Sequence, residues 1–303
     1  MKRIRSVTSV QRYVRLCGID VAKRTHVACI VDRDGRLVAP ARSFNNNQEG
    51  FQTLRARLQE AGGPEQVLIG MEATGHYWYS LHDFLVRQGF RVVVLNPIQT
   101  AQQAKKGIRR SKTDKIDAGH IASLLKSGDY RPALVPGELA MSCRQLTRLR
   151  YAFVLQDVRL QNLLRSRVHP IWPEFDTFFA APFCKTGRQL LKAAPTPTDV
   201  LTLDTDKLTE LIRVTSRGKY SHAKAEQIRQ AARDSVGMQR GLEGTRISIR
   251  SILTHLEQLR LLRSELEAEI IALADRLPAY VLTLPGADAI KGAGLFGEID
   301  PIE

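Results

Sequence analysis

Gln66-Val67-Leu68-Ile69-Gly70-Met71-Glu72 is a short apolar run that finishes on a carboxylate, and Val14-Arg15-Leu16-Cys17-Gly18-Ile19-Asp20 repeats the pattern. Each run has the length and the apolar content of a buried strand. An acid closing such a strand costs free energy unless it reaches solvent at the sheet edge or binds something. Asp20 as a turn-capping aspartate is the alternative that needs no ligand.

Reading outward from Asp20, the run His26 to Val31 is followed by Asp32-Arg33-Asp34-Gly35 and then Arg36-Leu37-Val38. Asp-Gly between β-rich runs predicts a hairpin. Asn47 to about Ala61 predicts a helix with Phe51, Leu54 and Leu58 on one face, ended by Gly62-Gly63-Pro64. Beyond Glu72, a helix starting at Ala73 runs through Val86, and Phe90 to Leu95 is an apolar strand closed by Asn96-Pro97. Strands alternating with helices after an opening hairpin predict an α/β layer fold, whose sites lie at the strand ends.

Further along stands Arg109-Arg110-Ser111-Lys112-Thr113-Asp114-Lys115-Ile116-Asp117-Ala118. A helix from Thr113 to about Lys126 puts Asp114 and Asp117 on one face, where two carboxylates repel. A hard divalent cation such as Mg²⁺ reverses that sign, since carboxylate oxygens are its natural ligands and substrate phosphates complete its shell. Lys105, Lys106, Arg109, Arg110, Lys112 and Lys115 would then hold a phosphodiester backbone beside the ion. The alternative is a solvated helix with Thr113 as N-cap and acids in its first turn, which needs no metal.

The 303 residues suffice for two domains, and 43% hydrophobic with 25% charged residues is ordinary for a globular chain. A formal charge of +14 is not ordinary for a small-molecule enzyme and calls for a polyanionic partner, nucleic acid first and an acidic membrane surface second. No apolar run approaches the roughly 18 residues that span a bilayer. Residues 1–13 read as a basic tail, not a secretory signal. Cys17, Cys29, Cys143 and Cys184 are scattered without a C-x-x-C pair, and the seven histidines show no paired metal spacing.

Past Pro132 and Pro136 the pattern becomes helical. Leu146, Leu149, Phe153, Leu160 and Leu163 form one seam interrupted at Gln156, and Ile252, Leu256, Leu259, Leu266, Ile270, Leu273 and Leu277 form a second interrupted at Arg263. The seams can pair within the chain or with a second subunit. Between them, an aromatic, proline-punctuated stretch leads to a basic helix predicted over Ser221 to Ser235.

Gly18-Ile19-Asp20-Val21-Ala22-Lys23, Met71-Glu72-Ala73-Thr74-Gly75 and Lys112-Thr113-Asp114-Lys115-Ile116-Asp117-Ala118, in that order and spacing, resemble the DEDD transposases of bacterial insertion sequences of the IS110 group. The resemblance implies a ribonuclease-H-like, RuvC-like catalytic domain over 14–132, an α-helical coiled-coil region with an insertion over 133–277, and the start of a helix-hairpin-helix-like C-terminal domain over 278–303. The family's acidic tetrad falls on Asp20, Glu72, Asp114 and Asp117, as catalytic residues and as ligands of two Mg²⁺ or Mn²⁺ ions. Four carboxylates can hold two ions that flank a phosphodiester. In the family a serine further along serves as nucleophile, and no serine here stands in that context, so the resemblance implies further chain beyond Glu303.

The function so implied is transposition: excision and insertion of an insertion sequence by phosphodiester cleavage and strand exchange. The implied partners are the element's DNA ends or junction and a target, a structured guide RNA, and a second copy through the helical region; the implied location is the bacterial cytoplasm, at the nucleoid. Two competitors use the same residues: a metal-dependent nuclease resolving branched DNA with water as nucleophile, and a truncated copy that only binds nucleic acid. Leu282-Thr283-Leu284-Pro285-Gly286-Ala287-Asp288 resembles the opening of the family's C-terminal domain, except that Asp288 replaces a usual glycine and adds negative charge to a turn expected to face phosphate.

Overall fold

The computed structural model describes residues 13–73, 75–100 and 114–299, with the side chains of residues 114 and 115 outside that set. The chain divides into two compact units, Met1–Val135 and Pro136–Glu303.

The first unit is built on five strands, β1 (Arg15–Asp20), β2 (Thr25–Asp32), β3 (Leu37–Asn45), β4 (Val67–Glu72) and β5 (Arg91–Leu95), in the spatial order β3-β2-β1-β4-β5. The hairpin strands are antiparallel, whereas β1, β4 and β5 run parallel. This is the ribonuclease-H-like order that the resemblance implied. Side chains alternate across the pleat, so each strand feeds two cores. On one face Cys17, Ile19, Ile69 and Met71 meet α1 (Gln48–Glu60), through Phe51, Leu54 and Leu58, and α2 (Trp78–Arg87), through Leu81 and Leu85. On the other, Leu16, Leu68, Val93 and Leu95 meet Ile121, Leu124 and Leu125 of α3 (Asp114–Ser127).

Local chemistry sets the element ends. Asn47 caps α1 by accepting from Gly50 N–H at 2.9 Å. The β2–β3 turn closes where Gly35 takes φ 86°, and Asp32 Oδ1 accepts from Arg36 N–H at 2.8 Å. The predicted Ala73 start of α2 is displaced to Trp78, because Gly75 adopts φ 57° and the chain turns through residues 75–77 first.

The second unit is helical: α4 (Glu138–Val168), a 3₁₀ turn (Pro173–Thr177), α5 (Lys185–Ala193), α6 (Pro197–Thr202), α7 (Thr205–Thr215), α8 (His222–Arg233), α9 (Leu242–Ala274), α10 (Ala279–Leu282) and α11 (Ala289–Ile299). The stretch 185–215, part of the aromatic, proline-punctuated section of the sequence, holds three short capped helices. Thr196 and Asp199 cap α6 reciprocally, with Pro197 at its first position, a signal present in the sequence.

The long helices α4 and α9 pair with each other through a stripe that keeps Leu146, Gln156 and Leu160 of the predicted α4 seam but not Leu149 or Leu163. Leu149 and Leu163 are exposed, while Ala140, Cys143, Asp157, Leu164 and Val168 are buried. In the middle of the pair the contact is ionic: Arg150 Nε lies 2.7 Å from Glu267 Oε1, and Arg260 and Arg263 lie 3.2 and 3.6 Å from the carboxylate of Asp157. Apolar clusters flank this polar stretch, around Trp172 and Phe175 on one side and around Ile270 and Phe296 on the other. Asp288 turns back onto its own helix, accepting from Lys291 N–H at 2.8 Å, and that bond holds its carboxyl below the usual carboxylate range.

Candidate active site

Asp20 and Glu72 are the last residues of β1 and β4, neighbouring parallel strands whose register pairs Ile19 with Met71. They share pleat parity with Leu16 and Leu68, which face α3, so both acids lie on the side that α3 covers. Asp20 also stands opposite Val27 of β2.

Gly18, two residues before Asp20, sets how closely α3 approaches. A Cβ built on Gly18 would lie 2.1 Å from Ala118 O and 2.5 Å from Ala122 N. Only glycine permits that approach of strand to helix backbone. Gly70 on β4 makes the same kind of room for the Leu125 side chain, 2.8 Å from where its Cβ would stand. The pairing of Gly18 with Ala118 therefore seats Asp117, one residue earlier on α3, beside the strand that ends in Asp20.

Asp117 is a quarter exposed, with its Oδ1 3.9 Å from His120 Nδ1. That separation exceeds a hydrogen bond, and the buried Nδ1 of His120 has no partner among the described residues. Glu72 accepts from a residue sequence reasoning missed: Thr100 Oγ1 stands 2.8 Å from Glu72 Oε2. His26, also missed, is fully buried at the start of β2, and its Nδ1 accepts from Ala22 N–H at 3.2 Å, closing the turn that follows Asp20. Burial pushes the His26 imidazole below its ordinary range and keeps it neutral.

Asp114 opens α3, and its side chain lies outside the described residues, as does that of Lys115. Lys105, Lys106, Arg109, Arg110 and Lys112 lie outside them altogether. Among the described residues, no group of three His, Cys, Asp or Glu side chains closes into a metal-binding set.

A family model for IS110-type DEDD transposases, described as a transposase, matches residues 17–173, which contain both strand-end acids and α3. The chain belongs to that family. Its members are enzymes that recombine DNA. A Streptomyces coelicolor protein named as a candidate mini-circle transposase for IS117 is 26% identical over 93% of this chain and 70% of its own length. The pilin gene-inverting protein of Moraxella bovis is 35% identical over 33% of this chain and 31% of its own length. Among solved structures, Thermus thermophilus RuvC in complex with a Holliday junction substrate is similar over 40% of this chain and all of that one, at 14% identity and a TM-score of 0.29. With so loose a superposition, the fold assignment rests on the strand order and orientations given above. Among the described residues, no helix is long and apolar enough to cross a membrane.

Proposed function

We propose that this transposase-family chain cuts and rejoins DNA at the ends of an insertion sequence, using Asp20, Glu72, Asp114 and Asp117 as one carboxylate site. The observation that carries the reading is the adjacency of Asp20 and Glu72 on neighbouring parallel strands, under a helix held close by Gly18 and bearing the other two acids.

An all-oxygen, carboxylate donor set suits a hard divalent cation, Mg²⁺ or Mn²⁺. Two such ions, when bound, would neutralise charge on the scissile phosphate and on its attacking and leaving oxygens. Asp20 and Glu72 would supply ligands from the rigid sheet, and Asp114 and Asp117 from the first turn of α3. The preceding Lys105, Lys106, Arg109, Arg110 and Lys112, with Lys115, would bind the DNA backbone beside them. A structured guide RNA and a second copy of the chain complete the reading; family membership and the formal charge of +14 support a nucleic-acid partner.

The test is recombination of a plasmid carrying the flanking element's ends, by this protein and by its Asp20→Asn and Asp114→Ala variants, in Mg²⁺ and in chelator. Joined products that need both acids and the metal support the proposal. Products that persist in chelator or in both variants refute it.

A further inference from the structure

We propose that Thr100 is a positioning residue for Glu72, held in place by a clamp between Gln99 and Arg131; the inference rests on the carboxylate-site reading above. Thr100 is 7% exposed, and its hydroxyl lies 2.8 Å from Glu72 Oε2 and 2.9 Å from Pro97 O. One hydroxyl has one proton. A carboxylate outcompetes a neutral carbonyl for it, so the proton goes to Glu72. That bond fixes the plane of the Glu72 carboxylate.

The segment bearing Thr100 is fixed from two directions. Asn96 Oδ1 accepts from Ile98 N–H at 2.9 Å, which shapes the turn leaving β5. Gln99 then pairs twice with the backbone of Arg131, its Nε2 donating to Arg131 O at 2.9 Å and its Oε1 accepting from Arg131 N–H at 2.8 Å. Arg131 lies four residues past the end of α3, and two residues further on Ala133 N–H donates to Val94 O at 2.7 Å. The chain leaving the acid-bearing helix thus returns to β5 and braces the residue that orients Glu72. Hydrogen bonds to a ligating carboxylate tune metal affinity as well as geometry.

The experiment is calorimetric titration of the whole chain with Mn²⁺, comparing wild type, Thr100→Val, Thr100→Ser and Gln99→Ala, with DNA cutting measured in parallel. Valine keeps the shape and loses the hydroxyl; serine keeps the hydroxyl. Thr100→Val is expected to bind Mn²⁺ about ten- to a hundredfold more weakly, with Thr100→Ser within about threefold of wild type and Gln99→Ala between them. Wild-type affinity in Thr100→Val, or equal losses in the valine and serine variants, overturns the inference. Should Thr100→Val fail to fold, Gln99→Ala carries the decision, with unchanged affinity counting against the clamp. A chain that binds Mn²⁺ in this Thr100-dependent way but cuts no DNA supports the positioning role and overturns the proposed function.

Discussion

The acid end of the β-sheet and the middle of the α4–α9 pair both bring charged side chains into protected places, by opposite means. At the sheet, apolar strands deliver Asp20 and Glu72 to neighbouring strand ends, where Glu72 Oε2 accepts from Thr100 Oγ1 at 2.8 Å. In the helix pair, charges answer one another: Asp157 faces Arg260 and Arg263, and Glu267 faces Arg150 and Arg263. Carboxylates brought to neighbouring strand ends are the donor type that a hard divalent cation takes, whereas ion pairs between helices balance charge within the fold.

The contrast can be broken most forcefully at Gly18. Gly18→Val puts side-chain carbon where the Ala118 carbonyl and Ala122 amide stand, so α3 must leave the sheet. A loss of about 3 kcal/mol or more in denaturant unfolding is expected, from overpacking that separates the helix and strand backbones. Next in size is Asp157→Leu, which takes the carboxylate from Arg260 and leaves Arg263 to Glu267 alone. A loss of about 2 kcal/mol is expected, below the value for a wholly buried pair because both arginines keep some solvent. A double-mutant cycle with Arg260→Leu checks it, since the coupled change should recover part of that loss.

A smaller, pH-dependent effect belongs to His26. Its folded-state pKa is lowered by burial, so the unfolded chain takes up the proton first as pH falls below 6.5. The stability owed to neutral His26 is therefore present above 6.5 and is lost as pH falls from there towards the depressed folded value. Unfolding free energy measured between pH 7.5 and 5.5, roughly one unit either side of that value, should decline in wild type and decline less in His26→Gln. Smallest of all is Leu149→Ser, expected within about 0.5 kcal/mol of wild type because Leu149 lies on the exposed side of α4. A cost above about 2 kcal/mol would instead restore the predicted seam.

The same contrast separates what is legible in the sequence from what is not. The sheet was legible because β4 and β5 are continuous apolar runs and β1 and β4 end on acids, so period, length and ending all agreed. The α4 seam was misread in part because its stripe carries Arg150 and Asp157, and apolar spacing passes over polar residues that meet partners about a hundred positions away. The acids Asp20 and Glu72 announced themselves through their place at strand ends. Thr100 did not, since its meaning depends on a hydrogen bond to a residue 28 positions earlier and on a clamp to Arg131. Gly18 was visible as a motif residue, but the need for it appears only when α3 is seen against β1.

The central claim is that the strand-end acids and the acid-bearing helix form one metal site. Replacing Mg²⁺ with Fe²⁺ and generating hydroxyl radicals at the bound ion cuts the polypeptide near its ligands, and mass spectrometry of the fragments reads the sites directly. The account predicts cuts clustered near residues 20, 72 and 114–117 together, all suppressed by excess Mg²⁺ and by Asp20→Asn. Cuts at one of these segments without the others, or an unchanged pattern in Asp20→Asn, would contradict it.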